Sequence, residues 1–464
     1  MITATPYANM RIAVFGLGRT GLAAVRALLA ARASVVAWDD ADASRMSAAE
    51  TGCELADLST ISWGTIDALM LSPGVPLTHP EPHWTVNMAK GAGVPIIGDT
   101  EIFVRALAEA DAPVKLIAIT GTNGKSTTTA LIGHMFESAG RPTEVGGNIG
   151  RPVLDLSPPS DGRHYVVEFS SYQIDLTPSL KPDVGILLNL SPDHLDRHGD
   201  MAGYAAVKAR MFTLQGEGDT AVIGVDDDYC RAIAGAIIRP GKNLVSVQSQ
   251  LGEGIWVEDG ILHDEADGER CDLTGFDSLR GRHNWQNAAM AWATGRALGL
   301  SVQEIARAFA SFPGLAHRME NVARLGRILF VNDSKATNAD ASAHALDSFD
   351  NIYWIAGGLA KSGGIEGLSE YFGKLSCAYL IGEAAGEFAE TLSGQAKTVD
   401  AGTIGRAVAM AARDAAAGGD DAVVLLSPAC ASFDQYRNFE LRGDAFRAAV
   451  AALDGVTMTG EEAA

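Results

Sequence analysis

The segment Ile117-Ala118-Ile119-Thr120-Gly121-Thr122-Asn123-Gly124-Lys125-Ser126-Thr127 decides how the chain is read. An apolar, partly β-branched run ends in Gly-Thr-Asn-Gly-Lys-Ser-Thr, and a helix-forming run follows. A strand that turns through glycines into a helix offers backbone N–H groups and a lysine to a polyphosphate. The hydroxyl of Ser126 or Thr127 can then reach the accompanying Mg²⁺. The turn is shorter than the G-x-x-x-x-G-K-[ST] pattern, because Ile119 stands where its first glycine falls and Gly121 comes two residues later. Its position between strand and helix still marks a phosphate site formed by Gly121, Thr122, Asn123, Gly124, Lys125, Ser126 and Thr127. ATP is the expected ligand.

Upstream, Arg11–Phe15 reads as a strand, Gly16-Leu17-Gly18-Arg19-Thr20-Gly21 as a turn, and Leu22–Ala31 as a helix. Ser34–Trp38 is the next strand and ends at Asp39-Asp40; Ile66–Leu71 is a later strand ending in Ser72-Pro73-Gly74. This βαβ rhythm predicts a parallel sheet. Gly16-x-Gly18-x-x-Gly21 with Asp39 downstream matches a dinucleotide fingerprint. Three readings stand side by side: a nicotinamide site, the diphosphate of another nucleotide, or a tight turn with no ligand.

Downstream, strands are expected at Tyr165–Phe169, Val184–Leu190 and Ala221–Val225. A helix is expected at Asn284–Leu298, and Ser301-Val302-Gln303-Glu304 fits a capping box. A third α/β stretch places strands at Arg327–Val331, Asn351–Ala356, Cys377–Ile381 and Asp421–Leu426. Its helices are expected near Glu366–Phe372, Glu383–Leu392, Thr403–Ala416 and Asp434–Leu453. The expected division is residues 1–106, 107–314 and 315–464. The 464 residues suit about two to four domains.

Bulk properties narrow the function. A net charge of −21 argues against nucleic acid as a partner. Five dispersed cysteines without a CxxC pair read as reduced thiols. No apolar run approaches the ~20 residues of a membrane span, and Met1–Met10 lacks the pattern of a secretory leader. The expectation is a cytoplasmic protein without membrane insertion.

Residue by residue, the remaining polar signals stay open. Glu168 ends an apolar strand and suits either Mg²⁺ or a surface position. His194, in Ser191-Pro192-Asp193-His194-Leu195-Asp196, reads alone as part of a polar loop. Lys208 reads alone as an exposed helix lysine. Asn284 and Asn287 share a helix face and suit a base edge or a surface equally. His317-Arg318 lies at the second boundary, where a cation can swing onto a phosphate. Asp333-Ser334-Lys335-Ala336-Thr337-Asn338 is a polar cluster after a strand.

Taken in order, these motifs resemble the Mur ligase family of peptidoglycan precursor synthesis over nearly the whole chain. Gly146-Gly147-Asn148-Ile149-Gly150 and His283-Asn284 belong to the same set. Gly357-Gly358-x-x-Lys361-Ser362 and the stretch from Ser427 to Gly443 resemble the branch that joins D-glutamate to UDP-N-acetylmuramoyl-L-alanine.

The resemblance implies three α/β domains: an N-terminal Rossmann-like UDP-binding domain, a central P-loop ATPase-like domain and a C-terminal Rossmann-like domain that takes the amino acid. It implies an ATP- and Mg²⁺-dependent ligase that is a monomer. Gly18, Arg19, Thr20 and Asp39 then hold the uridine-diphosphate end, with Ser72 and Asn148 on the same substrate. Lys125 holds ATP phosphates, and Ser126, Glu168, His194 and a carbamylated Lys208 ligate the metal; Lys125, Glu168, His194 and Lys208 are the catalytic set. Asn284, Asn287, His317, Arg318, Asp333 and Lys335 surround the nucleotide, while Thr337, Lys361, Ser432 and Phe439 receive D-glutamate. Relatives often carry Asp-Thr-Arg where this chain has Asp39-Asp40-Ala41, which leaves the uridine end without that arginine.

Overall fold

The computed structural model describes residues 1–459 except 239–240 and 361–362. It contains three sheets distributed over two compact units. One unit is Met1–Phe276 with Arg282–Phe312; the other is Asp277–Gly281 with Pro313–Ala464.

The first sheet is five-stranded and parallel. Its order is Glu54–Leu55, Ser34–Trp38, Arg11–Phe15, Ala68–Leu71, Ile96–Ile97. Arg11–Phe15 is central and buried from Ile12 onward, as its unbroken apolar run requires when helices cover both faces. The following helix begins at Arg19, inside the glycine fingerprint, with Gly18 as its N-cap.

The second sheet has nine strands. Lys115–Thr120 lies between His164–Glu168 and Val184–Leu187, and the sheet continues through Thr220–Gly224 and Lys242–Ser246. Its far edge is an antiparallel meander, Ile255–Glu258, Ile261–Asp264 and Glu269–Asp272. Thr143–Gly147 forms the other edge, paired in parallel with His164–Glu168. That edge strand was not expected, because its Gly146-Gly147 ending reads as a turn. Both glycines are required by close approach: a Cβ on Gly147 would lie 2.3 Å from the Glu168 carbonyl oxygen, and one on Gly146 2.6 Å from that of Arg151.

These two sheets share one unit, and polar contacts tie them. Arg26 pairs with Asp155 at 2.9 Å. Glu101, fully buried, accepts from the Ser179 N–H at 2.9 Å and its hydroxyl at 2.7 Å. Thr100 and Thr177 hydroxyls meet at 2.6 Å. The helix Asp99–Ala108 runs through residue 106, so the chain leaves the first sheet only after that helix ends.

The second unit holds a seven-stranded sheet: Thr398–Gly402, Leu375–Ile381, Ile352–Gly357, Ala422–Leu426, Ile328–Asn332, Glu320–Leu325 and Thr457–Met458. The first five are parallel and the last two antiparallel. The helix expected over Asp434–Leu453 is shorter, Phe439–Ala451, because the Asn438 side chain caps it by accepting from Leu441 N–H at 2.8 Å. The strand expected over Val184–Leu190 stops at Leu187, and the chain turns away toward the phosphate loop. The Ser301 capping box forms with both of its bonds.

Candidate functional site

The phosphate turn follows the buried strand Lys115–Thr120 and opens the helix Lys125–Ser138. Gly121 and Gly124 adopt φ of +153° and +81°, conformations that a side chain makes costly. A Cβ on Gly124 would also sit 2.4 Å from Asn287 Oδ1. The neighbouring strand end fixes the turn: Thr122 N–H donates to the Asn189 carbonyl at 2.9 Å and Asn123 N–H to Asn189 Oδ1 at 2.9 Å. Lys125 Nζ donates to the carbonyls of Gly121 (2.9 Å) and Thr122 (2.7 Å). Asn123 is exposed, Ser126 is buried, and Thr127 is half-buried.

Asn287 and Asn284 are buried, not surface polars. Asn287 Oδ1 accepts from Thr128 Oγ1 at 3.1 Å, and its Nδ2 donates to Asn284 Oδ1 at 3.1 Å. They brace the first turn of the phosphate-loop helix.

Lys208 is likewise no exposed helix lysine. It lies on the helix Met201–Ala209, is 1% exposed, and donates to Thr120 Oγ1 at 2.9 Å and the Gly121 carbonyl at 3.0 Å. Burial, reinforced by the charge of Lys125, holds its amine well below the usual lysine range. Glu168 is also 1% exposed. Its Oε1 accepts from Asn148 Nδ2 at 2.6 Å, while its Oε2 is buried with no hydrogen-bond partner among the described residues. Asn148, expected on the substrate, is thus placed beside Glu168.

His194 is exposed, at φ +52°, with Nε2 3.4 Å from Asp193 and its ring 5.0 Å from that of Tyr172. Among the described residues no group of three His, Cys, Asp or Glu side chains forms a metal site. The donors nonetheless fit a divalent cation in one respect. A buried carboxylate oxygen lacking a partner is the kind of atom a cation satisfies. A lysine whose amine is held well below the usual range by burial is the kind of amine that can take up CO₂.

At the first glycine turn, Gly18 and Arg19 are exposed and Thr20 is half-buried. Asp39 binds the turn itself: Oδ2 accepts from Leu17 N–H at 2.6 Å and Oδ1 from Ala41 N–H at 2.8 Å. Ser72 is half-buried and packs against Gly16, where a Cβ would lie 2.5 Å from Ser72 Cβ. One residue missed in the sequence lies beside this turn. Arg45, from the helix Asp42–Ala49, lays its guanidinium over the Trp38 ring at 4.4 Å and donates to the Asp39 carbonyl.

In the second unit the structure gathers four of the expected residues. Asp333, buried, accepts from Ser427 Oγ at 2.8 Å and Met319 N–H at 3.2 Å. Burial raises its carboxyl to about 7 against those hydrogen bonds. Lys335 Nζ lies 4.2 Å over the Phe439 ring, and the His317 ring meets Phe439 edge-on at 6.3 Å. Arg318 and Thr337 are half-buried, and Ser432 is buried at the turn whose carbonyl caps Tyr436 N–H at 2.7 Å. Lys361 lies outside the described residues. Arg442, part of the Ser427–Gly443 motif but given no role there, is 1% exposed and pins this cluster, donating to Ser334 Oγ at 3.0 Å and the Ser334 carbonyl at 2.8 Å.

Sheets and turns together define a class: a three-domain α/β protein with two Rossmann-like sheets and one phosphate-loop sheet. Residues 10–98 match the Mur ligase MurD-like, N-terminal domain, residues 119–295 the Mur ligase middle domain, and residues 317–430 the Mur ligase, glutamate ligase domain. The chain belongs to the Mur ligase family. It is 55% identical to a protein of Caulobacter vibrioides over 473 aligned residues, covering all of both chains. It is 56% identical to one of Bradyrhizobium diazoefficiens, covering 98% of this chain and 99% of that one. Both relatives are named UDP-N-acetylmuramoylalanine–D-glutamate ligase. Among solved structures, UDP-N-acetylmuramate-alanine ligase MurC from Thermotoga maritima shares the fold, with a TM-score of 0.56 at 15% identity over 94% of this chain and 98% of that one. MurF from Acinetobacter baumannii does so at 0.53 and 18%, over 75% of this chain and 80% of its own.

Proposed function

We propose that the protein joins D-glutamate to UDP-N-acetylmuramoyl-L-alanine at the cost of ATP, through an acyl phosphate, in peptidoglycan precursor synthesis. The observation that carries the reading is the floor of the phosphate turn, where a buried lysine and a buried carboxylate flank a strand end. The full-length relatives support the choice of substrates.

A carboxylate acylates poorly because oxide is its leaving group, so the L-alanine carboxylate takes the γ-phosphoryl group first. Lys125 offsets the negative charge that develops on that group. Glu168, oriented by Asn148, and Lys208 as its carbamate hold Mg²⁺ together with Ser126 and His194. Bound there, Mg²⁺ supplies charge neutralisation for the phosphates. Backbone N–H groups of residues 121–124 orient the phosphate chain. The D-glutamate amine attacks in its neutral form, and the tetrahedral adduct expels phosphate and leaves the amide.

At the other end of the substrate, Gly18, Arg19 and Thr20 bind the diphosphate. Asp39 holds the turn, Ser72 meets the same ligand, and the Arg45–Trp38 pair takes the place of the family's arginine at the uridine end. Asn284, Asn287, His317, Arg318, Asp333 and Lys335 serve the nucleotide; Thr337, Lys361, Ser432 and Phe439 serve D-glutamate. The domains are residues 1–106, 107–314 and 315–464, and the protein acts as a cytoplasmic monomer.

The test supplies ATP, Mg²⁺, UDP-N-acetylmuramoyl-L-alanine and one amino acid at a time, and follows phosphate release. Release with D-glutamate and not with L-lysine is expected. Equal release with both, or none with D-glutamate, sinks the assignment.

A further inference from the structure

Arg197 is used by neither glycine turn, yet it touches the surroundings of both. It lies on the short helix Leu195–His198, three residues after His194. Its guanidinium reaches three consecutive carbonyls of the loop that follows the strand Ala68–Leu71: Nη1 to Gly74 at 3.1 Å, and Nη2 to Val75 at 3.0 Å and Pro73 at 3.4 Å. The other face of the same plane stacks over the Tyr172 ring at 4.5 Å. A planar fork with several fixed donors suits such a clamp, where an ammonium does not.

Each end of this clamp continues into a phosphate turn. On one side, Ser72 N–H donates to the Phe15 carbonyl at 3.0 Å, Val75 N–H closes a turn onto the Ser72 carbonyl at 2.9 Å, and Ser72 packs against Gly16. On the other side, Tyr172 meets the His194 ring, and Ser191, in the same loop, exchanges hydrogen bonds with the Thr122 hydroxyl at 3.1 and 3.2 Å. Tyr172 sits on the helix Ser171–Asp175, which leaves the strand ending at Glu168 and is locked by a capping box between Ser170 and Gln173. His198 adds a 2.8 Å contact to Ser171 Oγ.

We propose that Arg197 is a positioning residue that sets the register of the acceptor-substrate turn against the ATP turn, so that binding at one site favours binding at the other. It touches neither ligand. It acts by fixing the Ser72–Val75 loop relative to the loop that carries His194. A rigid strut between two sites couples them only if each ligand orders its own end, and the coupling is reciprocal. This inference rests on the assignment of the two turns given above.

The test measures calorimetric binding of UDP-N-acetylmuramoyl-L-alanine to the full chain with and without a non-hydrolysable ATP analogue and Mg²⁺. In the native protein the analogue should tighten the muramoyl nucleotide about tenfold, within the usual span of such couplings. In Arg197→Met this enhancement should fall to within about twofold, while each ligand alone keeps its affinity within about threefold. Arg197→Lys should retain only part of the enhancement, and it supplies the same readout if the methionine variant does not fold. Steady-state kinetics should agree: the KM for the muramoyl substrate measured at saturating ATP rises, and the KM for ATP measured without prior muramoyl saturation stays. Undiminished enhancement in both variants, or a native protein that binds both ligands with no enhancement, overturns the proposal. A native protein that binds no muramoyl nucleotide overturns the functional reading instead.

Discussion

The two glycine turns of the first unit are built alike up to the last peptide and then diverge. Each follows a buried parallel strand, Arg11–Phe15 or Lys115–Thr120, and each opens a helix of three turns or more. Each needs a positive φ at its first glycine, +92° at Gly16 and +153° at Gly121. Behind the first turn the closest polar partner is Asp39, which spends its oxygens on backbone N–H groups. Behind the second lie Lys208 and Glu168, buried: an amine that donates to the Thr120 hydroxyl and the Gly121 carbonyl, and a carboxylate oxygen with no hydrogen-bond partner among the described residues. A glycine turn thus reports only that an anion approaches backbone. In the proposed reading, what is buried beneath it separates holding a phosphate from transferring one, because a buried carboxylate oxygen without a partner is costly unless a ligand uses it.

The sharpest way to break this contrast is to remove the lysines of the second turn. Lys208→Ala and Lys125→Ala should each lower phosphate release by about a thousandfold or more, on the scale of losing a central electrostatic stabiliser. Binding of the muramoyl nucleotide should persist, and bicarbonate should not rescue Lys208→Ala. Retention of more than a tenth of native activity by Lys208→Ala would refute the carbamate role.

The next largest effects come from the glycines and test whether the turns are equally strained. Gly21→Ala places a Cβ 1.9 Å from the Gly16 carbonyl oxygen, and Gly124→Ala sets one 2.4 Å from Asn287 at φ +81°. Gly18, at φ −68°, has nothing within 4 Å of its Cβ position. Thermal unfolding of the full chain should show Gly21→Ala the worst, at several kcal/mol. Gly124→Ala should cost roughly 1–3 kcal/mol and Gly18→Ala under about 1 kcal/mol. An order with Gly18→Ala at the bottom of the stability ranking would show that the crowding beneath the turns is misjudged.

A smaller effect separates the turns by ligand. Asp39→Asn keeps an acceptor for one N–H but turns a donor toward the other. The KM for the muramoyl substrate should rise several-fold, consistent with about 1–2 kcal/mol for a charge-assisted bond, with the KM for ATP unchanged. A matching rise in both would mean that Asp39 serves the fold and not its own turn.

How far these turns were legible in the sequence follows from what a local pattern encodes. Strand, glycines and helix are neighbours in the chain, so both turns and most strands of the parallel sheets could be read directly. The edge strand Thr143–Gly147 escaped because its glycines answer to tertiary neighbours, Gly147 to the Glu168 carbonyl of the next strand and Gly146 to the Arg151 carbonyl of the loop that follows. Lys208 read as a solvated helix lysine by itself, and its burial arises from packing onto a strand end 87 and 88 residues earlier. Arg197 escaped for the same reason, since its partners lie 122 to 124 residues away, and Arg442 was read as part of the Ser427–Gly443 motif without its contacts, which lie 108 residues away. Only the family resemblance placed Lys208 in the site; nothing local marked Arg197. Arg45 lay within reach, six residues after Asp39, yet its direction is set by the helix it rides on.

The smallest predicted effect probes the contrast without any ligand. An amine whose folded-state pKa is lowered binds fewer protons folded than unfolded, at every pH between that value and the 10.5 of an ordinary lysine. Through that window the unfolded chain holds the extra proton, so stability rises with pH. One group contributes at most about 1.4 kcal/mol per pH unit. Denaturant unfolding in CO₂-free buffer should therefore show native stability gaining on Lys208→Met between pH 7 and pH 9, with the difference shrinking once bicarbonate is added. Asp39→Asn, at the other turn, should leave that slope as it is in the native chain. A native slope identical to that of Lys208→Met would mean that folding does not lower the proton affinity of the buried amine, and the contrast between the two turns would lose that support.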